Sequence, residues 1–392
     1  MSPLYPPSAT PRPGPPPRFA DRVNRFWMRV TEGLELNQLW SQFEKDARSS
    51  YRLYSSDLEK KESEPAHGAK KFFRTAEKFF WAVLEKLSPA KRVLLLVALV
   101  LLFLPQGGMR YTGAGGEVHF FEFDLHVWGG LLLLVLLVTE VADRVVMKRD
   151  LQIAKEIQNW LLPHEPPVIP GVEIAFVTRP ANTVAGDYYD VFKRPEHEGQ
   201  ADRYLLAVAD VAGKSIPAAM IMATFQASLR TLSITRRSLP DLLAGMNQYA
   251  CTNSQGGLRF TTAFLGEYDP AIRTLTYVNA GHNAPMVCRK SGALERLETG
   301  GLPIGILADT PYQSGSVTLV PGDWVVIFTD GVVEAFNTQS EEFGEPRLLS
   351  AIAAGSNQTP GELLQAIMRS LDVFVGATPQ HDDITLLLVK AV

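Results

Sequence analysis

The sequence predicts an α+β sandwich preceded by a two-helix transmembrane hairpin, and three observations point there. From Val172 onward, short strand-like runs and amphipathic helical segments are grouped rather than strictly alternating, which suits an α+β sandwich better than a doubly wound sheet. Carboxylates mark the ends of the most apolar runs: Asp210 ends LLAVAD, Asp330 ends WVVIFTD, and Asp382-Asp383 lead into ITLLLV, while Asp187 sits in VAGDYYD. Two leucine-rich stretches without a polar face lie ahead of all this, Val93 to Met109 and Leu125 to Thr139.

From the N-terminus, residues 1–17 hold eight prolines and little that packs, so residues 1–20 are expected to be a disordered tail. Residues 21–88 are charged and mixed. Phe72, Phe73, Phe79, Phe80 and Leu84 recur at helical spacing, interleaved with Lys70, Lys71, Arg74 and Lys78, which fits a helix at a membrane surface or a small helical region.

The hairpin is placed over residues 89–143. Each apolar stretch is shorter than the ~20 residues of a comfortable span, so a pair of buried core helices is the competing reading. The lack of a polar face and the short Gly-rich connection favour membrane. Seven basic residues from Lys70 to Arg92 precede the first stretch, and Arg144, Lys148 and Arg149 follow the second. The connection holds Arg110 against Glu117, Glu122 and Asp124, so charge bias puts both ends, and the C-terminal domain, in the cytoplasm at the inner membrane. The first apolar run begins too far from Met1 for a cleaved signal peptide.

Residues 144–165 are read as a linker helix stopped by Pro163. Met147, Leu151, Ala154, Ile157 and Leu161 form a heptad-like stripe, suited either to pairing with a second copy or to packing on the domain below. Residues 166–392 form the main domain. Its expected strands are VEIAFV, YLLAVAD, TTAFLGEY, TLTYVNA, APMVCR, SVTLV, WVVIFTD and ITLLLV; its expected helices cover 216–235, 240–253, 346–354 and 360–373.

Charge is nearly balanced, −4 from 38 basic and 42 acidic residues, with no basic stripe to suggest nucleic acid. Two cysteines, Cys251 and Cys288, exclude a disulfide framework and read as inert core thiols.

Chemistry is carried by the carboxylates. An Asp at a strand end is ordinarily a turn former or helix cap. Several converging at sheet ends repel one another unless cations hold them. Hard oxygen donors in that number fit Mg²⁺ or Mn²⁺, and a metal pair suits hydrolysis of a phosphate ester.

The stretches LQIAKEIQNWLLP, RPANTVAGDYYDVF, ADVAGKSIPAAM, FTTAFLGEYDP, YVNAGHNAP, GGLPIGI, GDWVVIFTDGVVEA and HDDITLLLV occur in that order. Together, over about residues 151–392, they resemble the bacterial SpoIIE/RsbU-like branch of the metal-dependent (PPM) serine/threonine phosphatases. The resemblance implies an α-β-β-α sandwich and two Mn or Mg ions. Asp187 would supply a ligand to one ion, Asp210 would bridge the two, and the Val211 carbonyl would complete the second site. Asp330 and Asp382 would hold the other ion, with Asp383 behind them or exchanging roles with Asp382. It implies a phosphorylated regulatory protein as substrate, of the anti-sigma-factor-antagonist type. Two positions depart from the family pattern: Ala185 stands where Gly is usual, and Ala-Gly-Lys-Ser where Ser-Gly-Lys-Gly is usual. Ser215 is expected near a helix start, where it could cap.

Other chemistries fit less well. A P-loop would require Gly where Val208 stands, and Asp210 would point a carboxylate into the phosphate cradle. Lys214 then reads as a solvated turn residue or substrate contact. Cys251 and Arg259 have seven intervening residues, too many for a tyrosine-phosphatase loop. A non-catalytic membrane adaptor would keep a costly acidic cluster for no purpose. His282 and His381 are read as structural turn residues ahead of general acids.

Overall fold

The computed structural model describes residues 81, 84, 87–105, 107–112, 118–194, 202–236, 238–253 and 259–392. The expected tail and most of the helical region up to residue 88 lie outside the described residues. The chain divides into two compact units, Met1–Glu140 and Val141–Val392.

The first unit holds helix α1 (Pro89–Phe103), strands β1 (Gly107–Thr112) and β2 (Val118–Phe123), and the beginning of helix α2 (Leu125–Leu161). The short connection expected between the apolar segments is therefore an antiparallel β-ribbon, with Gly107 opposite Phe123 and Thr112 opposite Val118. It takes over the end of the first charge-free stretch, so α1 is only 15 residues long. Ala98 is fully buried, and a Cβ on Gly129 would lie 3.0 Å from the Ala98 carbonyl, so two small residues set how closely α1 and α2 approach. Lys91 and Glu140 pair at 2.9 Å. Among the described residues, α2 is the one helix long and apolar enough to cross a bilayer. It continues to Leu161 with no Pro or Gly after Gly130 to break it.

The second unit is a sandwich of two antiparallel sheets. Their strands are β3 (Val172–Arg179), β4 (Tyr188–Lys193), β5 (Tyr204–Val211), β6 (Thr261–Asp269), β7 (Thr274–Ala280), β8 (Met286–Cys288), β9 (Leu294–Arg296), β10 (Gly300–Gly301), β11 (Gly315–Thr318), β12 (Trp324–Phe328) and β13 (Ile384–Ala391). One sheet runs β10-β7-β6-β5-β4 with β11 also on β7; the other runs β3-β13-β12-β8-β9. Among the described strands, β10 and β7 of the first sheet pair in parallel, over two residues. Helices α3 (Ser215–Thr235) and α4 (Leu239–Asn253) pack on the first sheet. Helices α5 (Asp330–Val333), α6 (Gly344–Ala354) and α7 (Pro360–Val375) belong to the second. This is the expected α-β-β-α order.

Strand periodicity explains the layering. On β12, Val325 and Ile327 point into the core between the sheets, while Trp324, Val326 and Phe328 point into a second core with α6 and α7. On β13, Leu387 and Val389 face inward and Leu386 and Leu388 outward in the same way. A strand buried on both faces reads as a continuous apolar run, which is why these two were legible.

Several elements differ from expectation. The segment Tyr188–Lys193 is a strand whose Asp190 is fully buried, held bidentately by Arg230 at 2.7 and 2.8 Å and by the Tyr188 hydroxyl at 2.5 Å. WVVIFTD stops as a strand at Phe328, and Asp330 opens α5 instead of closing the strand. Ser215 does not cap α3: the N-cap is Lys214, and Ser215 is the first helical residue with φ +66°. Cys251 and Cys288 are half-buried, not core.

Candidate functional site

The expected acidic residues come from both sheets. Asp187 ends the loop before β4, Asp210 is the penultimate residue of β5 and Val211 the last. From the second sheet, Asp330 opens α5 just beyond β12, and Asp382 and Asp383 immediately precede β13. Gly331 makes this junction possible: a Cβ there would fall 2.0 Å from the Asp383 carbonyl, so no other residue lets α5 abut the start of β13.

The acids sense one another. Asp187 is buried, and burial with the charges of Asp210 and Asp383 pushes its carboxyl well above the usual range, despite the Thr329 hydroxyl donating to Oδ2 at 2.9 Å. Asp210 is pushed up to about 7, by burial first, then by Asp330, Asp382 and Asp383, against a hydrogen bond with Asp187. Asp330 is raised by burial and by Asp382, with Lys214 opposing. Glu334, which sequence reasoning passed over, is raised by burial and by Asp330.

Two of the acids already have partners. Asp383 uses both oxygens to hold the loop ahead of Asp187, accepting the N–H of Ala181 at 2.7 Å and of Gly186 at 2.6 Å. It thereby braces the loop that carries Asp187. Asp382 pairs with Lys214 at 3.0 Å, and the same ammonium donates to the His381 carbonyl at 2.5 Å. Lys214 is thus an internal counter-ion. Because β5 is antiparallel to both β4 and β6, it cannot be the parallel strand that feeds a P-loop.

Sequence reasoning missed two residues that shape the site. Thr329 is fully buried; its hydroxyl serves Asp187 and accepts the Thr385 N–H at 3.0 Å. Its only signal was a polar residue interrupting the apolar run WVVIF. Gln158, near the end of α2, brackets the Ala185 backbone with both amide atoms. A polar residue in a helix turn next to Ile157 and Leu161 gave no indication of that.

Among the described residues, no group of three or more acidic, histidine or cysteine side chains is arranged as a closed ligand set. The chemistry of the donors still fits hard divalent cations: they are carboxylates with a strand-end carbonyl beside them, and their mutual repulsion holds protons that a dication would replace. By contrast, an apolar groove of about 380 Å³ between α3 and α4 is lined by residues such as Met220, Phe225 and Tyr249 and by no carboxylate, so it offers nothing for phosphate-ester chemistry.

Comparison with known proteins agrees with this geometry. Residues 200–392 match the family model described as Stage II sporulation protein E (SpoIIE). Residues 200–392 thus carry a SpoIIE-type domain, and the likeness to RsbU supports the SpoIIE/RsbU-like branch of the PPM-type serine/threonine phosphatases. The chain is 28% identical over 281 residues to "Protein IcfG" of Synechocystis sp., covering 65% of this chain and 43% of that protein. It is 29% identical over 245 residues to "Phosphoserine phosphatase RsbU" of Bacillus subtilis, covering 62% of this chain and 70% of that protein. The chain thus spans less than half the length of the first relative. Among solved structures, the SiaA-PP2C domain of Pseudomonas aeruginosa superposes with a TM-score of 0.54 at 23% identity, over 64% of this chain and 99% of that one. That likeness shows the SpoIIE-type domain to have the PP2C fold.

Proposed function

We propose that this chain is a membrane-anchored, metal-dependent protein serine/threonine phosphatase acting on a phosphorylated regulatory protein. The observation that carries the reading is the meeting of Asp187, Asp210, Asp330 and Asp382 at one end of two sheets of PP2C type, each strand end contributing to a shared negative field. In this reading Asp187, Asp210 and the Val211 carbonyl would hold one Mn or Mg ion, and Asp210, Asp330 and Asp382 would hold the other, with Asp383 behind them. Such ions supply Lewis acidity toward a phosphoryl group and make water acidic enough to attack near neutral pH. The chain's own residues set the stage. Thr329 orients the Asp187 carboxylate, Asp383 fixes the loop that carries it, and Lys214 keeps Asp382 in place until a substrate phosphate competes for the ammonium. The names of relatives such as RsbU support a phosphoserine substrate, and we assign the substrate to the anti-sigma-factor-antagonist type on that likeness alone. The test is hydrolysis of a phosphoserine protein by the full chain, expected with Mn²⁺ or Mg²⁺ and abolished by chelator. Co-purification on an Asp210→Asn variant would identify the substrate. Metal-independent activity, or ATP hydrolysis lost on Lys214→Ala, would refute the reading.

The membrane part rests on surface chemistry. Val127, Trp128, Leu131, Leu134, Leu137 and Val138 of α2 all face outward, at 47–64% exposure. A water-exposed patch of that extent is unfavourable, whereas lipid covers it at no cost. We read α1 and α2 as a two-helix hairpin in the inner membrane with the catalytic domain cytoplasmic. Along the linker, Met147 and Ile157 are exposed while Leu151, Ala154 and Leu161 are half-buried and Gln158 docks on Ala185, so we read the exposed part of the stripe as the face that pairs with a second copy and the last turns as packed on the domain. A cysteine placed at Gly115 should react with an impermeant reagent from outside intact cells, and cysteines at Ser63 and Gln200 should not. Carbonate extraction with Gly115 unreactive would make the pair a soluble hairpin.

A further inference from the structure

His282 sits in the loop between β7 and β8, and this loop is built to deliver its ring to one place. Asn279 holds the turn: its Oδ1 accepts the His282 N–H at 2.7 Å, and its Nδ2 donates to the carbonyls of His282 at 3.0 Å and Leu297 at 3.2 Å. Gly281 has φ +68°, and a Cβ there would fall 2.5 Å from Pro303 Cγ, so the turn tolerates no other residue.

The ring is 7% exposed and lies between the two sheets. On the first sheet its Nδ1 is 3.0 Å from the Thr262 hydroxyl of β6. On the second, the Phe328 backbone carbonyl of β12 lies close enough to favour its proton, although Nε2 has no partner in regular hydrogen-bond geometry. Each neighbour stands beside an acid. Thr262 faces Asp210 in the β5–β6 register. Phe328 precedes Thr329, which donates to Asp187, and Asp330 follows directly. One imidazole thus stands between the strand facing Asp210 and the segment that serves Asp187 and Asp330. A polar ring in such a setting costs stability unless it holds something, and an apolar residue of the same size would pack there more cheaply.

We propose that His282 is a positioning residue that braces the two sheets through Thr262 and the Phe328 segment, and so sets the separation of the acids contributed by each. Burial lowers its pKa to about 4, so the brace is neutral and leaves the acidic field unaltered. The proposal rests on the metal-site reading above and adds the residue that holds its two halves in register.

The experiment compares the full chain with His282→Phe, which keeps volume without nitrogens, His282→Asn, which keeps a polar group toward Thr262, and Thr262→Val, which removes only the hydroxyl. Mn²⁺ binding is read by calorimetry, with melting temperature in chelator as the folding control. Loss of a supporting hydrogen bond behind metal ligands weakens binding about tenfold or more. We expect that loss in His282→Phe and in Thr262→Val, no further loss when the two are combined, and at least partial rescue in His282→Asn. Should His282→Phe fail to fold, Thr262→Val decides alone. Unchanged Mn²⁺ affinity in Thr262→Val, or losses that add in the double variant, would overturn the brace and leave His282 a core packing residue. Failure of the unaltered chain to bind Mn²⁺ would instead overturn the metal-site reading, and the brace with it.

Discussion

The side-chain amide of Gln158 and the backbone of Ala185 exchange two hydrogen bonds: Nε2 donates to the Ala185 carbonyl at 2.7 Å, and Oε1 accepts its N–H at 2.9 Å. Both residues are buried, and Gly186, the next residue, is held by Asp383. The last turns of α2 and the start of β13 therefore grip the Asp187 loop from two sides.

Gln158→Ala leaves both Ala185 backbone groups without partners in a buried setting, a cost of about 1–3 kcal/mol. We expect a lower denaturant midpoint and a higher Mn²⁺ requirement, since Asp187 loses one of its two anchors. The same grip makes the linker's rotation matter. Inserting one or two residues near Lys148 rotates the stripe relative to the helix ahead of it by ~100° each and should change turnover sharply. Seven inserted residues, close to two turns, should largely restore it. Turnover indifferent to insertion length would make the helix a passive tether.

The raised acids predict an unusual pH dependence for the metal-free chain. Asp210 has a folded pKa of about 7, above its unfolded value, so the folded state binds more protons between the two. Stability is then highest on the acid side and falls as pH rises from about 4 toward 7. Melting temperature in chelator should drop across that window, and Mn²⁺ should stabilise most at its upper end, releasing protons as it binds. A melting temperature that rises through the window would contradict the clustered acids.

Lys214 and Asp210 should separate in effect. Asp210→Asn removes an acid that faces all the others and should abolish most activity. Lys214→Ala removes a half-exposed counter-ion to Asp382, and we expect a KM increase with a smaller change in kcat. Equal losses in both variants would place Lys214 in the chemistry itself.

Ser215 carries a positive φ at a position where the SpoIIE-like pattern has Gly. The left-handed region costs an L-residue roughly 1–2 kcal/mol. Gly gives back about 0.5–1 kcal/mol through the greater freedom of the unfolded chain. Ser215→Gly should therefore be neutral to stabilising by ~1 kcal/mol in urea titration, and the β-branched Ser215→Val clearly destabilising.

The elements legible in the sequence were those whose pattern is local. The runs at β5, β12 and β13 announce themselves because burial on both faces demands continuous apolar residues, and α7 because Pro360 opens an amphipathic run, which the structure starts with a capping box of Thr359 and Glu362. β4 was not legible, because its central Asp190 is acceptable in a buried strand only once Arg230, forty residues away, reaches across to it. The β-ribbon between the apolar segments was hidden for a similar reason: a Gly-rich, mixed stretch has no periodicity, and its pairing partner supplies the order.

For the site, the sequence determined which acids to look at: Asp187, Asp210, Asp330, Asp382 and Asp383 stand at or next to strand ends, where the apolar runs stop. Tertiary structure decided what each of them does. Asp383 is the brace of the Asp187 loop, Asp382 is balanced by Lys214, and Thr329, Gln158 and Gly331 acquire their roles through partners between 27 and 142 residues distant or from a backbone approach that only glycine permits. Such roles depend on hydrogen-bond directions and on distances between sheets. Those are fixed when the two layers pack against their shared core, and no spacing along the chain encodes them.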